Sequence, residues 1–264
     1  WYQSQGITGS IPFRGPIAAN TVAGTISGWG AAYQLSRKSL GGKLPLSRLL
    51  EDAIHYAERG VPVTHSQSAL TEKKRAELTP QPGFAETFLV NGRAPATGSV
   101  FLQKRLAATL RQIAKKGTDD YYRGELAEQI AKELKQIGSP LRIDDLHRHQ
   151  AKLIDPLHLA HTVADVYNMT PPTQGVVSLM ILGILDQLNL KQFAVDSPEY
   201  VHHCVEATKQ AFKVRDQYVT DPAYMQKHAQ EFLSPAFLKN LASKVDAQKA
   251  LLWGAGRGPA DTIW

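Results

Sequence analysis

Apolar residues recur at helical spacing along most of this chain, and only two neighbouring stretches suit strands. That restricts the fold to a helical domain, or to the helical flank of a sheet completed elsewhere. Behind Pro45, the residues Leu46, Leu49, Leu50, Ala53, Ile54 and Ala57 follow the i, i+3, i+4 rule, and Gly60 stops the helix. Small and apolar residues predict a tightly packed helix over 26–35, a polar helix spans 64–78, and an amphipathic one spans 101–115. A further helix, capped by Thr118 or Asp119, runs through Tyr122, Leu126, Ile130 and Leu134 to Gly138. After a short helix at 144–150, the strand candidates are 153–159 and 164–169, the second because Val166, Tyr167 and Met169 suit a half-buried pleat. Helices are then expected over 176–188, from Pro198 to about Val219, and over 236–244. Segments 1–24, 80–98 and 253–264 are rich in turn residues and read as loop or linker, with 261–264 a possible strand start.

With 264 residues, 43% of them hydrophobic, the chain buries a sizeable core as one large or two small domains. The longest apolar stretch, 175–185, is far short of the ~20 residues a bilayer span requires. The opening residues, Trp1-Tyr2-Gln3-Ser4-Gln5-Gly6, carry no secretory signal pattern and read like the middle of a protein. One cysteine, Cys204, leaves no internal disulfide framework and no multi-cysteine zinc site. The expected protein is soluble and cytoplasmic, with a periplasmic or secreted location as the alternative. Its net charge of +6 raises the question of an anionic partner. The basic residues are interleaved with acids: Lys73-Lys74-Arg75 lies between Glu72 and Glu77, and Asp119-Asp120 follow Lys115-Lys116. This is the pattern of a solvated surface, so neither a nucleic-acid nor a membrane partner is expected.

The histidine pairs His147/His149, His158/His161 and His202/His203 lack a third ligand at recognisable spacing, so no metal is expected. The glycine clusters 24–30 and 254–258 lack the Lys-Ser/Thr of a phosphate loop, so no cofactor is expected either. Cys204, between Val201 and Val205 in a helix, reads as a buried structural thiol. The turn Pro171-Pro172-Thr173-Gln174-Gly175 precedes a helix whose first N–H groups are free; it is a wall for a ligand or a simple strand-to-helix turn. Asp261-Thr262 follows a glycine linker, and a threonine freed at a chain terminus can act as nucleophile with its own amine as base.

In this order, these pieces resemble the gamma-glutamyltransferase family of N-terminal-nucleophile hydrolases. The segment Asn20-Thr21-Val22-Ala23-Gly24-Thr25-Ile26-Ser27-Gly28 resembles the family's P-G-T-V-A-G, with Ala23 in place of the proline. The stretch from Leu44-Pro45-Leu46 to Gly60-Val61-Pro62-Val63 is similar to its next helix and exit. Residues 117–127 resemble G-x-x-x-F-Y-x-G-x-x-A, and Ile143-Asp144-Asp145-Leu146 fits T-x-x-D-L. Residues 166–175 resemble V-Y-x-M-P-P-P-S-S-G-G, and Glu206-Ala207, Lys209, Ala211-Phe212, Arg215 and Asp221-Pro222 resemble E-A-x-K-x-A-F-x-x-R…D-P.

The resemblance implies an α+β fold, an αββα sandwich to which this chain contributes mostly helices and a few strands. It implies a precursor that cuts itself at the Asp261–Thr262 bond, making 1–261 the large-subunit portion, without the start of the family pattern, and 262–264 the start of the small subunit. Thr262 is then the catalytic nucleophile, acting on a small amide such as oxamate or a gamma-glutamyl compound. Thr173-Gln174, in place of Ser-Ser, is similar to the oxamate amidohydrolase-like branch. The substrate-binding arginine of the transferases belongs before Trp1, Arg14 does not match it by position, and the rest of the pocket belongs beyond Trp264. The partners implied are the chain's own small subunit and the amide substrate, with a dimer of heterodimers as a further assembly. The alternatives are a gamma-glutamyl transpeptidase, a cephalosporin or glutaryl acylase, or a helical interaction domain without catalysis.

Overall fold

The computed structural model describes residues 1–253, and these divide into two compact units, one ending at Leu153 and one beginning at Ile154. In the first unit, α1 (Thr25–Ser39) is followed by α2 (Leu46–Arg59), β1 (Val61–Pro62), α3 (His65–Leu78) and α4 (Phe84–Phe88). Then come β2 (Val100–Phe101), α5 (Lys104–Lys116), α6 (Asp120–Arg123), α7 (Glu125–Gln136) and α8 (Ile143–Arg148). The apolar stripe of α2 meets that of α5, and Leu50, Leu110 and Ile113 from these two helices form a core with Leu126 of α7.

At the end of α2, Gly60 adopts φ +91°, and a β-carbon there would lie 2.9 Å from the carbonyl oxygen of Phe101. Glycine alone lets the chain turn so close to β2. Phe101, expected inside a helix, instead pairs with Val61 in the small antiparallel β1–β2 ladder, and the helix starts three residues later. The single helix expected from 118 or 119 to 138 is two. Gly124 is extended (φ −115°, ψ −156°), and the Asp120 carboxylate occupies the space a side chain would need, accepting the N–H of Glu125 at 3.3 Å. Asp119 is the N-cap residue of α6, as one of the two expected, though without a side-chain bond; Gly124 is that of α7, where the Asp120 carboxylate takes the first N–H.

The second unit begins with β3 (Leu157–His161) and β4 (Ala164–Asn168), an antiparallel hairpin in which His158 faces Tyr167 and Leu159 faces Val166. The expected strand 153–159 thus starts four residues late. Leu153 and Ile154 are exposed, whereas Leu157 and Leu159 alternate inward onto the core. Helix α9 (Gly175–Gln187) is the centre of this unit, with Val176, Val177, Leu179, Met180 and Ile184 fully buried. Around it lie α10 (Pro198–Tyr218), a 3-10 turn (Ala229–Leu233) and α11 (Pro235–Ala242). Pro198 and Pro235 each sit in the first helical turn, where a missing N–H costs nothing. No helix among the described residues is long and apolar enough to cross a membrane.

Candidate functional site

In the first unit, three segments meet at Tyr122, whose ring is 2% exposed. Its hydroxyl donates to Ala23 O (2.7 Å) and accepts from Ser27 N–H (2.9 Å), which ties α6 to the start of α1. Burial pushes this phenol's pKa upward, against the opposing effect of the Ser27 N–H, so the hydroxyl stays a donor. The ring stacks on His149 at 5.0 Å, and the Ser27 hydroxyl accepts the N–H of Ala151 at 2.7 Å. Arg123 donates to the His149 carbonyl at 2.9 Å. Residues 20–28, 117–127 and the region just after 143–146 thus converge on one pin.

In the second unit, β4 runs into the turn at 168–175. The Asn168 side-chain oxygen accepts Met169 N–H at 2.8 Å, and the Thr173 hydroxyl donates to Thr170 O at 2.9 Å while accepting Gly175 N–H at 3.3 Å. Gly175 is required by close approach: a β-carbon there would collide with the Met169 carbonyl and the Asn168 amide. Thr173 is engaged by its own loop. Next to it, the Gln174 side-chain oxygen is buried without a hydrogen-bond partner among the described residues. Of the two readings of this turn, its internal bonding describes a strand-to-helix turn that also presents one unused acceptor at the start of α9.

Along α10, a stripe of side chains spaced for one face holds the chain that follows α11. His202 Nε2 lies 2.7 Å from Asp246 O. Glu206 accepts the N–H of Leu251 at 3.2 Å, and Lys209 donates to the Leu251 carbonyl at 2.7 Å and to Glu206 at 2.6 Å. Trp253 meets the ring of Phe212 at 6.2 Å. Glu206 is 2% exposed. Burial alone would raise its pKa, but the Lys209 ammonium and the Leu251 N–H, with a weaker contribution from His202, hold it below the usual glutamate value. This pairing was missed in the sequence, although i, i+3 spacing in Glu206-x-x-Lys209 was the available signal.

Cys204 differs from expectation. Val201 and Val205 are about half exposed, and Cys204 itself is half-buried in the wall of an open apolar cavity of about 400 Å³ with Phe212 and Trp253. The helix turns these residues outward because Ala207, Ala211 and Val214 occupy its core-facing side. Among the histidines, His158 bonds Asp165 (2.6 Å), His161 approaches Asp186 (3.5 Å), and His203 bonds the Glu199 carbonyl (2.7 Å). Among the described residues, no three His, Cys, Asp or Glu side chains gather as a metal site. The basic run at 73–75 has acidic partners, with Lys74 on Glu77 and Arg75 on Glu72, and Arg14 also bonds Glu77. Asp261 and Thr262, the expected scissile pair, and the glycine cluster 254–258 lie outside the described residues.

Mostly helical, with two small antiparallel ladders, the chain has the α+β fold of N-terminal-nucleophile hydrolases, as its likeness to solved transpeptidase and acylase structures shows. Residues 2–259 match the family model described as Gamma-glutamyltranspeptidase, and the chain belongs to that family. It is 50% identical over 254 residues to the oxamate amidohydrolase proenzyme of Klebsiella pneumoniae, covering 96% of this chain and 48% of that one. Among solved structures, the Helicobacter pylori gamma-glutamyltranspeptidase superposes with a TM-score of 0.83 at 25% identity, covering 91% of this chain and 68% of that one. The cephalosporin acylase of Bacillus halodurans gives 0.80 at 28% identity, covering 93% and 46%. The chain spans about half the length of the curated relatives it matches.

Proposed function

We propose that this chain is the large-subunit portion, 1–261, of a self-processing amidohydrolase that acts on a small amide, oxamate by preference. The observation that carries the reading is 50% identity, over 96% of the chain, to a proenzyme named for oxamate. Thr262 is the nucleophile of this reading. In the precursor its hydroxyl oxygen bonds to the Asp261 carbonyl carbon, the Asp261–Thr262 C–N bond breaks, and the hydroxyl proton ends on the released amine. Water then hydrolyses the ester, leaving an Asp261 carboxylate and a free N-terminal Thr262. In the mature enzyme that amine takes the hydroxyl's proton as the oxygen attacks the substrate amide, ammonia or an amine leaves, and water resolves the acyl-enzyme. Backbone N–H groups stabilise the oxyanion. The partners of this reading are the small subunit released by cleavage and the amide substrate, with two heterodimers as the complete assembly. Its compartment is the cytoplasm, which cell fractionation tests.

A gamma-glutamyl substrate is the second reading, favoured by the likeness to the H. pylori transpeptidase fold. The full-length protein decides between them. Wild type is expected to yield a new N-terminus at Thr262 by intact mass and to turn over oxamate faster than a gamma-glutamyl anilide. Thr262→Ala is expected to remain one chain without activity. Cleavage or turnover surviving in Thr262→Ala removes the nucleophile assignment, and faster turnover of the anilide replaces oxamate by the second reading.

A further inference from the structure

We infer that the buried Glu206–Lys209 pair on α10, with His202 and Phe212 on either side, is the device that positions the chain for self-cleavage. The inference rests on the proposed Asp261–Thr262 processing. The geometry is a strap. From His202 to Phe212 the helix advances about 15 Å at ~1.5 Å per residue, and over that length it grips residues 246, 251 and 253 in order. His202 meets Asp246 O, Glu206 and Lys209 take both the N–H and the C=O of Leu251, and Phe212 meets Trp253. The chain therefore leaves along α10 in one direction. Asp246 reinforces the start, its carboxylate accepting the N–H groups of Gln248 (2.8 Å) and Lys249 (3.1 Å).

Two facts argue that the strap does more than close a loop. A charged pair with Glu206 2% and Lys209 15% exposed is costly to desolvate, and burying it adds little stability over apolar residues of the same shape. Both of its members nevertheless spend a hydrogen bond on one main-chain residue. The grip also falls where it affects intramolecular attack. From Ala242, the last helical residue among those described, to Thr262 is twenty residues, whereas from Trp253 it is nine. Because closure entropy scales as (3/2)RT ln n, that shortening alone favours bringing the threonine to a fixed point by about threefold. Fixing the chain's direction adds to this, as orientation does in any intramolecular reaction.

These are positioning residues, not catalytic ones, and the test separates the two roles. In the full-length precursor, three variants are compared for the rate at which the Thr262 N-terminus appears, for turnover per cleaved molecule, and for thermal midpoint. The double variant Glu206→Gln/Lys209→Met removes the charges together, so neither is left buried and unpaired. Trp253→Ala loosens the last contact at a half-exposed position where the fold is not at risk. Lys209→Arg keeps a donor for the Leu251 carbonyl. Processing is expected to slow in the first two, more in the double variant, which loses the grip on Leu251, than in Trp253→Ala, which keeps that grip eleven residues from Thr262, and to stay at the wild-type rate in the third. Turnover per cleaved molecule is expected to be unchanged in all three.

Wild-type processing rates in both the double variant and Trp253→Ala overturn the inference alone. So does a slowing matched by an equal loss of turnover per cleaved molecule and a fallen midpoint, which marks a purely structural role. If wild type itself does not cleave before Thr262, the proposed function fails and the strap's role fails with it.

Discussion

Tyr122 holds two backbone groups with one oxygen, donating to Ala23 O and accepting from Ser27 N–H, while its ring lies against His149. Removing that oxygen takes the partner from both groups; because Ala23 is exposed and Ser27 half-buried, water replaces part of what is lost, and the cost is that of ordinary hydrogen bonds, about 0.5–1.5 kcal/mol each at most. Tyr122→Phe keeps the ring stack and removes only the bonds. It is expected to lower the thermal midpoint by roughly 2–4 °C per kcal/mol lost, and a melt indistinguishable from wild type would show that the pin carries no load. The residue pattern Asp-Tyr-Tyr-Arg-Gly was visible in the sequence; the pairing of Tyr122 with a segment about a hundred residues away was not. Nothing in local periodicity records a bond of that range, and the same holds for Glu206 and Leu251.

At the scale of elements, what could be read were most of the helices, because apolar spacing and the prolines at or just inside their starts, Pro45, Pro198 and Pro235, act locally. What could not be read were the choices made by packing. Phe101 fits a helix by pattern but goes to a two-residue ladder, where its ring stacks on Phe88 at 6.2 Å. Gly124 reads as a residue inside a helix and instead divides two, because the Asp120 carboxylate takes the place of its side chain. The turn before α9 was legible as a turn, and its glycine as a special position. Its physical requirement is the Met169 carbonyl, a backbone atom that has no rotamer by which to yield. Gly175→Ala is therefore expected to cost about 1–3 kcal/mol through strain, outweighing the helix propensity that alanine adds. A more stable Gly175→Ala protein in chemical denaturation would show that the turn relaxes freely.

For the whole molecule, the hairpin β3–β4 sets a direction of growth. An antiparallel strand shows its main-chain groups alternately to its partner and away from it. On β3 the outward pair at His158 is already taken: the Gln230 side chain accepts its N–H at 3.0 Å and donates to its carbonyl at 2.7 Å. The carboxamide thus closes that edge as a neighbouring strand would. Tyr167, the residue opposite His158, accordingly turns its N–H and C=O to the other side, and its side chain is 60% exposed. Among the described residues no side chain closes the outer edge of β4 at Tyr167 as Gln230 closes that of β3 at His158. We propose that another strand of the full-length protein pairs with this edge, in keeping with relatives about twice this chain's length. Amide exchange tests it directly. In the fragment 1–264 the Tyr167 N–H is expected to exchange rapidly while the inward Val166 N–H is protected by Leu159. In the full-length protein both are expected to be protected, and a Tyr167 amide that stays fast there would mean the sheet does not continue from β4.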